Sequence, residues 1–347
     1  SALESITYHS TNENPTQDPP STSRTITWLV TDANSDGAGA GTSTAVTSTI
    51  NITPINDAPV LTAGATLSYT ENNPPKIIDN TITIGDDDDT HIEGGTVTIS
   101  SGYLTGDVLT LAGQGDINGG VSNSSGVLTI TTTAPVTLSE YESALESITY
   151  HSTNENPTQN TPSASRTITW LVTDANSDGA GAGTSTAVTS TINITPINDA
   201  PVMTAGATLS YTENEAATII DNTITITDDD DIEIDGGTVT ITSGFTEGDT
   251  LTLTTQFGIS GTYDSPTGVL TISGTASLSE YETALQSITF HSISEDPTIT
   301  AGSRTISWTV TDANSDEAGA ETSTAVTSTI NITPETDIPV MSAGATL

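Results

Sequence analysis

The sequence predicts an all-β chain of tandem Greek-key β-sandwich repeats, each about 140 residues long and each with one short α-helix. Three observations predict this class. A long segment recurs at a fixed interval, because residues 1–17 are repeated at 143–159 and a related segment follows at 283–292. Apolar and polar residues alternate through most of each unit, as in half-buried antiparallel strands. Clusters of Gly, Asn and Asp separate these short segments, which is typical of a sandwich.

The repeats predict four segments in the 347 residues. We expect 1–58 to be the C-terminal part of one repeat, 59–200 and 201–338 to be complete repeats, and 339–347 to be the first strand of another. Because the chain begins in mid-pattern, we expect it to be a fragment of a longer protein.

The individual strands are predicted by a period of two. Ile168, Trp170 and Val172 alternate with Thr167, Thr169 and Leu171. One face of such a strand is apolar and the other carries mostly threonine. The tryptophan is therefore expected in a core.

One helix is predicted in each unit. Leu138, Tyr141 and Leu145 fall at helical spacing, and Thr137-x-x-Glu140 matches a capping box. The next unit repeats the box at Ser277-x-x-Glu280. Helix capping is the favoured role of these glutamates, and metal ligation is the alternative.

The strongly acidic composition limits the classes of partner that the chain is expected to bind. Four Lys and Arg residues face 44 Asp and Glu residues, which gives a formal net charge of −40. Nucleic acids and anionic membranes attract basic surfaces, so neither is an expected partner. No apolar run approaches the roughly 20 residues of a membrane span. The chain lacks cysteine, which fits a bacterial extracellular or cell-surface protein that uses bound ions in place of disulfides.

Acidic residues are concentrated beside each predicted joint. P-I-N-D-A-P occurs at 54–59 and 196–201, and four consecutive aspartates follow at 86–89 and 228–231. Two carboxylates 4 Å apart repel by about 1 kcal/mol in water and by about 4 kcal/mol near a protein surface. Such crowding is favourable only if a cation holds the groups together. Ligands that are all oxygen indicate Ca²⁺.

Strand geometry assigns these residues to joints. A continuous strand from Val202 to Thr212 would carry Glu213 to the far pole of its domain, and a strand over 218–227 would return the chain to the linker. The upstream joint is predicted to use Asn56, Asp57, Asp86 and Asp88, with Asp89 beside them. The middle joint is predicted to use Glu71, Asn198, Asp199, Asp228 and Asp230, with Asp231 beside them. The downstream joint is predicted to use Glu213 and Asp337.

A second candidate for calcium is the T-D-A-N-S-D segment. Its oxygen-bearing residues are Asp32, Asn34 and Asp36; Asp174, Asn176 and Asp178; and Asp312, Asn314 and Asp316. They match the first half of an EF-hand loop, but Ser185 stands where the bidentate glutamate would be. Two interpretations stay open, an Asx-rich turn and a weak calcium loop of another type.

These motifs carry a family resemblance over essentially the whole chain. N-D-A-P, the following x-E-N and the later Asp-x-Asp resemble the calcium-binding motifs of cadherin repeats. The segments L-S-E-Y-E-x-A-L-x-S-I-T and S-R-T-I-T-W-x-V-T-D are similar to the cadherin-like repeats of giant bacterial surface adhesins. The resemblance implies head-to-tail rods with Ca²⁺ at the joints. The sequence departs from the cadherin pattern at Ala58 and Ala200 and in the linker P-E-T-D-I-P at 334–339.

Three functions are compatible with these features. The first is a non-enzymatic structural or adhesive rod whose neighbouring repeats are locked by Ca²⁺. The second is a module that binds surface polysaccharide or another cell, and the third is a segment of a self-assembling filament. An enzyme is not expected, because the sequence contains no G-x-S-x-G, no histidine-rich metal set and no phosphate loop.

Overall fold

The fold is given by a computed structural model that describes residues 3–16, 21–161, 164–177, 179–315, 317–339 and 341. The chain divides into two units. Unit 1 comprises Ser1–Asn154 and Ser165–Ile194, and unit 2 comprises Glu155–Ala164 and Thr195–Leu347. The domain boundaries predicted at residues 58, 200 and 338 stay predictions. The strand predicted at 339–347 lies almost entirely outside the described residues.

Unit 1 opens with a 3₁₀ helix at Leu3–Ser5 and an antiparallel hairpin of β1 (Ser23–Trp28) and β2 (Val46–Asn51). Its further strands are β3 (Val60–Thr62), β4 (Thr66–Thr70), β5 (Lys76–Ile77), β6 (Thr83–Gly85), β7 (His91–Ser101), β8 (Asp107–Leu111), β9 (Ile117–Asn118), β10 (Gly120–Val121), β11 (Val127–Thr137), β12 (Thr149–Ser152), β13 (Ala164–Asp174) and β14 (Val188–Thr195). Helix α1 (Leu138–Glu146) lies between β11 and β12. The sheets have the orders β4-β14-β13-β7-β11-β9, β10-β8-β12-β5 and β3-β6.

Unit 2 repeats this arrangement. Its strands are β15 (Val202–Thr204), β16 (Thr208–Thr212), β17 (Thr218–Ile219), β18 (Thr225–Thr227), β19 (Glu233–Ser243), β20 (Asp249–Thr252), β21 (Ser260–Asp264), β22 (Val269–Ser277), β23 (Thr289–Ser292), β24 (Ser303–Asp312) and β25 (Val326–Thr333). Helix α2 (Leu278–Gln286) lies between β22 and β23. The sheets have the orders β16-β25-β24-β19-β22-β21, β17-β23-β20 and β15-β18. The predicted all-β class, with a helix in each unit, is confirmed.

The sheets of each unit enclose one core. In unit 2, Trp308 from β24, Phe290 from β23 and Leu285 from α2 belong to the same buried cluster. Burial alternates along β24 because one face of the strand is apolar and the other carries hydroxyl residues. Trp170 and Trp308 are fully buried, as predicted, whereas Trp28 on the two-stranded β1-β2 hairpin is half-buried.

Two predicted long strands are broken, which corrects the sequence analysis. The segment 202–212 forms β15 and β16, which belong to different sheets, because β15 pairs with β18 and β16 pairs in parallel with β25. The segment 218–227 likewise forms β17 and β18. The return to the linker is still achieved, because the antiparallel register pairs Val202 with Thr227.

A buried aspartate, Asp221, fixes both breaks. Its carboxylate accepts hydrogen bonds from the backbone N–H groups of Gly206, Ala207 and Thr223 at 2.9–3.0 Å and from the hydroxyl of Ser328 at 2.6 Å. Because the side chain satisfies these donors, the chain can leave one sheet for the other without unpaired buried N–H groups. Asp79 has the same role in unit 1, where it binds Gly64, Ala65, Thr81 and Ser190.

The predicted capping boxes are confirmed. In α2 the Ser277 hydroxyl accepts from Glu280 N, and the Glu280 carboxylate accepts from Ser277 N at 3.0 Å. Thr137 and Glu140 form the same box in α1. Both helices have nine residues, and among the described residues there is no helix with the length and apolar character needed to cross a membrane.

Two of the four Lys and Arg residues are buried in the cores. Arg304 Nε donates to Asp249 Oδ2 at 2.6 Å, and the Arg304 side chain is fully buried. In unit 1, Arg166 pairs with Asp107 in the same way, and Tyr150 adds a hydrogen bond of 2.6 Å to that aspartate. These arginines are therefore structural.

Candidate metal centres

The acidic run of unit 1 lies against the linker that precedes it. Asp57 N donates to Asp88 Oδ2 at 2.9 Å, which holds the linker to the run. Asp86 Oδ1 accepts from the backbone N–H groups of Asp88 and Asp89 at 3.1 and 2.9 Å. The run is therefore a tight turn held against the linker.

The T-D-A-N-S-D segment meets the same place. Asn56 Nδ2 donates to Asp174 Oδ2 at 3.1 Å, and Ser177 N donates to Asp89 Oδ1 at 2.6 Å. The acidic run at 86–89 and the segment that begins at Asp174, predicted as separate calcium candidates, thus lie together. We call Asn56, Asp57, Asp86, Asp88, Asp89 and Asp174 the cage of unit 1.

Unit 2 repeats the cage. Asp199 N donates to Asp230 Oδ2 at 2.8 Å, Asn198 Nδ2 donates to Asp312 Oδ2 at 2.9 Å, and Ser315 N donates to Asp231 Oδ1 at 2.8 Å. The cage of unit 2 consists of Asn198, Asp199, Asp228, Asp230, Asp231 and Asp312. Carboxylate oxygens of Asp228, Asp230 and Asp231 lie within 4.8 Å of one another.

Several buried oxygens of these cages have no donor. Within the described parts of the chain, no hydrogen bond reaches Asn56 Oδ1, Asp86 Oδ2, Asp89 Oδ2, Asn198 Oδ1, Asp228 Oδ2, Asp230 Oδ1 or Asp231 Oδ2. Asp230 and Asp231 are only 3% and 2% exposed. A buried acceptor without a donor costs about 1–3 kcal/mol, and more when it is charged. A cation that prefers oxygen ligands would satisfy all of these atoms, so the residues fit a hard divalent ion such as Ca²⁺.

The pKa values report the same crowding. The pKa of Asp86 is raised to about 7, chiefly by burial and also by the nearby Asp88, against the lowering effect of the backbone N–H groups. Burial also raises the pKa of Asp230 to about 8, with contributions from Asp228 and Asp231. Burial raises the pKa of Asp312, although hydrogen bonds from Asn198 and Glu321 lower it. Asp86 and Asp230 therefore resist ionisation in the absence of a cation.

A second acidic group of unit 2 contains Glu213, Glu295 and Asp337, which we call the pole cluster. Their carboxylate oxygens lie within 4.8 Å of one another. Glu213 is 3% exposed, and its Oε2 accepts from Glu335 N at 2.7 Å. In the described part of the chain, Glu213 Oε1 accepts no hydrogen bond. The predicted association of Glu213 with Asp337 within unit 2 is thus present.

Glu295 was missed in the sequence. The signal was its repeated position, because Glu13, Glu155 and Glu295 follow the same strand in successive repeats. Glu155 acts on the cage of unit 2, since its charge raises the pKa of Asp199 after the larger effect of burial. The contribution of Glu71 to the middle joint stays a prediction; its side chain is 2% exposed.

Two asparagine contacts were also missed. Asn14 Nδ2 donates to the carbonyl of Asp88 at 3.0 Å in unit 1, and Asn160 Nδ2 donates to the carbonyl of Asp230 in unit 2. Both asparagines belong to the loop after Glu13 or Glu155. This loop therefore contacts the backbone of the acidic run in each unit.

The T-D-A-N-S-D segment has two interpretations, an Asx-rich turn and a weak calcium loop, and the structure bears on both. Asp174 Oδ1 accepts from Asn176 N at 3.3 Å, which is the bond of an Asx turn, and also from Gly183 N at 2.9 Å, across the base of the loop. The other oxygen of Asp174 belongs to the cage. Asp32, Asn34 and Asp36 form the same turn bonds in an exposed loop, and Asn314 does so in unit 2. Asp178 and Asp316 lie outside the described residues.

No protein-family model matches the chain. A stretch of 128 residues, 35% of the chain, is 35% identical to Halomucin of Haloquadratum walsbyi (strain DSM 16790 / HBSQ001). This stretch spans 1% of the length of Halomucin.

Three solved structures that the chain resembles come from cadherins. Protocadherin gammaB7 EC3–6, in a cis-dimer structure, is 14% identical with a TM-score of 0.34, over 90% of this chain and 58% of that chain. Mouse cadherin-23 EC22–24 is 14% identical with a TM-score of 0.31, over 91% of this chain and 76% of that chain. Drosophila N-cadherin EC1–4 is 12% identical with a TM-score of 0.23, over 90% and 59%. These solved structures are of cadherin repeats. This is the resemblance that the linker motifs predict.

Proposed function

We propose that this chain is a segment of an extracellular structural or adhesive rod whose repeats are stiffened by Ca²⁺. The observation that carries the proposal is the set of buried cage oxygens without donors, which recurs at the same place in both units. An unsatisfied carboxylate oxygen occurs at Asp89 and at the matching Asp231. Each unit therefore offers buried oxygens that a cation would satisfy.

The chemistry favours calcium over smaller or softer ions. Every candidate ligand is a carboxylate or an amide oxygen, and the chain contains no cysteine. Ca²⁺ takes six to eight such oxygens with flexible geometry, whereas Mg²⁺ demands a near-octahedral set and keeps its waters. When bound, the ion would neutralise the repulsion within the run and fix the linker that donates to it.

Binding would also stiffen the chain. In each cage a linker residue and the acidic run are already joined by one backbone hydrogen bond, Asp57 to Asp88 and Asp199 to Asp230. A cation held by both would remove the remaining freedom of the linker. Loss of the ion would leave the repulsion unopposed and cost the binding free energy in stability.

The proposal is tested by calcium titration calorimetry of the full chain, with small-angle X-ray scattering of the same sample with calcium and with chelator. We expect saturable binding, and we expect the maximum dimension to shrink in chelator because the linkers bend. The matched control is the Asp88→Asn, Asp230→Asn double variant, which should bind less calcium and show a smaller difference between the two profiles. The absence of binding, or identical profiles in calcium and chelator, would refute the proposal.

A further inference from the structure

The cages of the two units differ at a position beside the linker. Gly183 of unit 1 is replaced by Glu321 in unit 2. The backbone is the same in both, because Gly183 N donates to Asp174 Oδ2 at 2.9 Å and Glu321 N donates to Asp312 Oδ2 at 3.0 Å. The difference between the cages is therefore the side chain itself.

A side chain at this position begins inside the cage. A Cβ on Gly183 would lie 2.6 Å from Asn56 Nδ2 and 3.0 Å from Asp174 Oδ2, so the Asn56 side chain would have to shift to admit one. Unit 2 has made the room, since Asn198 Nδ2 still donates to Asp312 with Glu321 in place. The first atoms of the Glu321 side chain are thus adjacent to cage residues.

Glu321 is tied to the cage by its backbone. Its N–H donates to both carboxylate oxygens of Asp312, at 3.1 and 3.0 Å. Its side chain is exposed, so the carboxylate is free to turn toward a cation held by the cage. No such group is available at Gly183.

The cage of unit 2 also contains buried side-chain oxygens that accept no hydrogen bond from the described residues. Asn198 is 7% exposed, Asp230 3% and Asp231 2%, and each has a side-chain oxygen that no donor in the described residues reaches. These oxygens indicate a bound cation independently of Glu321. Their presence distinguishes this group from an ordinary solvated cluster of acids.

We propose that Glu321 supplies an added carboxylate ligand to a hard divalent cation in the cage of unit 2, so that this cage binds the ion more tightly than the cage of unit 1. The inference rests on the proposed function and deepens it. The number of charged ligands is a main determinant of calcium affinity in oxygen sites. One added carboxylate is expected to tighten binding by about tenfold, which corresponds to about 1.4 kcal/mol.

The test compares three variants of the full chain by calcium titration calorimetry. Glu321→Gly restores the residue of unit 1, and Glu321→Gln keeps the shape of the side chain but removes its charge. Glu317→Gly is the matched control, because Glu317 also replaces a glycine of the same loop, at a φ of +63°. We expect both variants of Glu321 to weaken one class of sites by about tenfold, and Glu317→Gly to leave all affinities unchanged. Thermal unfolding in chelator verifies that each variant is folded.

The outcomes separate this inference from the proposed function. If the unmodified chain binds calcium and Glu321→Gly binds it equally well, the inference is overturned and the proposed function stands. If Glu321→Gln binds like the unmodified chain while Glu321→Gly binds weakly, the side chain acts by packing and the inference is again overturned. If the unmodified chain binds no calcium, both fall.

Discussion

At the scale of single residues, the pKa values of two buried aspartates are shifted in opposite directions. Asp221 is buried, and although burial raises its pKa, the hydrogen bonds from Gly206, Ser328, Thr223 and Ala207 lower it well below the usual range. Asp230 is buried as deeply, but its neighbours are other carboxylates, and its pKa rises to about 8. Since both are fully or nearly fully buried, burial alone does not decide the charge. The donors around each carboxylate decide it.

We therefore expect Asp221→Asn to destabilise the protein by about 3 kcal/mol, because the amide would place an N–H group against the backbone N–H donors of Gly206 and Ala207. Urea unfolding at pH 7 measures the change. Asp235→Asn is the control, because Asp235 is exposed, and it should change the stability by less than about 0.5 kcal/mol. An Asp221→Asn protein as stable as the control would show that these hydrogen bonds do not fix the strand breaks.

At the scale of elements, some strands and helices are predicted by the sequence and the strand breaks are not. Period-two alternation predicts β13 and β24, and the capping boxes predict α1 and α2, since these signals are local. The breaks at 205–207 and 220–224 could not be predicted, because they depend on Ser190 or Ser328, which lie more than 100 residues away along the chain. Glu295 was missed for a similar reason. Its partners Glu213 and Asp337 come close only after β16 and β25 pair in parallel.

The acidic run of unit 2 also gives a prediction at the scale of elements. The effect of one substitution on the melting temperature should reverse its sign when calcium is added. Asp230→Asn removes one charge from the cage of unit 2. At pH 8.5 in chelator we expect the melting temperature to rise, because a repulsive charge is lost. In millimolar calcium we expect it to fall relative to the unmodified chain, because a ligand is lost and binding weakens.

Asp229→Asn is the matched control for this reversal. Asp229 belongs to the same run but is exposed, so its substitution should have a small effect that does not change sign with calcium. Differential scanning calorimetry of both variants provides the comparison. A fall in melting temperature for Asp230→Asn in both conditions would mean that Asp230 is a structural residue and not a ligand.

The pH dependence of the cation-free protein follows from the same carboxylates. The folded-state pKa values of Asp86 and Asp230, about 7 and about 8, lie above the ordinary aspartate value of 3.8. The folded state thus binds more protons than the unfolded state between these values. Its stability must fall as the pH rises from about 5 to about 8. Unfolding of metal-free protein across this range measures the slope, and the Asp86→Asn, Asp230→Asn double variant should have a smaller one. A stability that rises over this range would contradict the raised pKa values.

At the scale of the whole molecule, two kinds of repulsion oppose folding. One acts between the many exposed carboxylates that give the net charge of −40, and the other acts between the buried carboxylates of each cage. General repulsion between exposed carboxylates is screened by any salt, because the Debye length falls from about 10 Å at 0.1 M to about 3 Å at 1 M. Repulsion between buried carboxylates of a cage is screened far less. The two contributions should therefore respond to different ions.

We expect sodium chloride to raise the melting temperature gradually in chelator, because it screens the exposed charges of both units. We expect calcium to raise it further at millimolar concentration, where its contribution to ionic strength is negligible, because it binds in the cages. The Asp88→Asn, Asp230→Asn variant should keep the response to sodium chloride and lose much of the response to calcium. If calcium and sodium chloride gave the same melting temperature at equal ionic strength, the cages would have no specific ligand, and the buried oxygens of Asp89 and Asp231 would be left without an explanation.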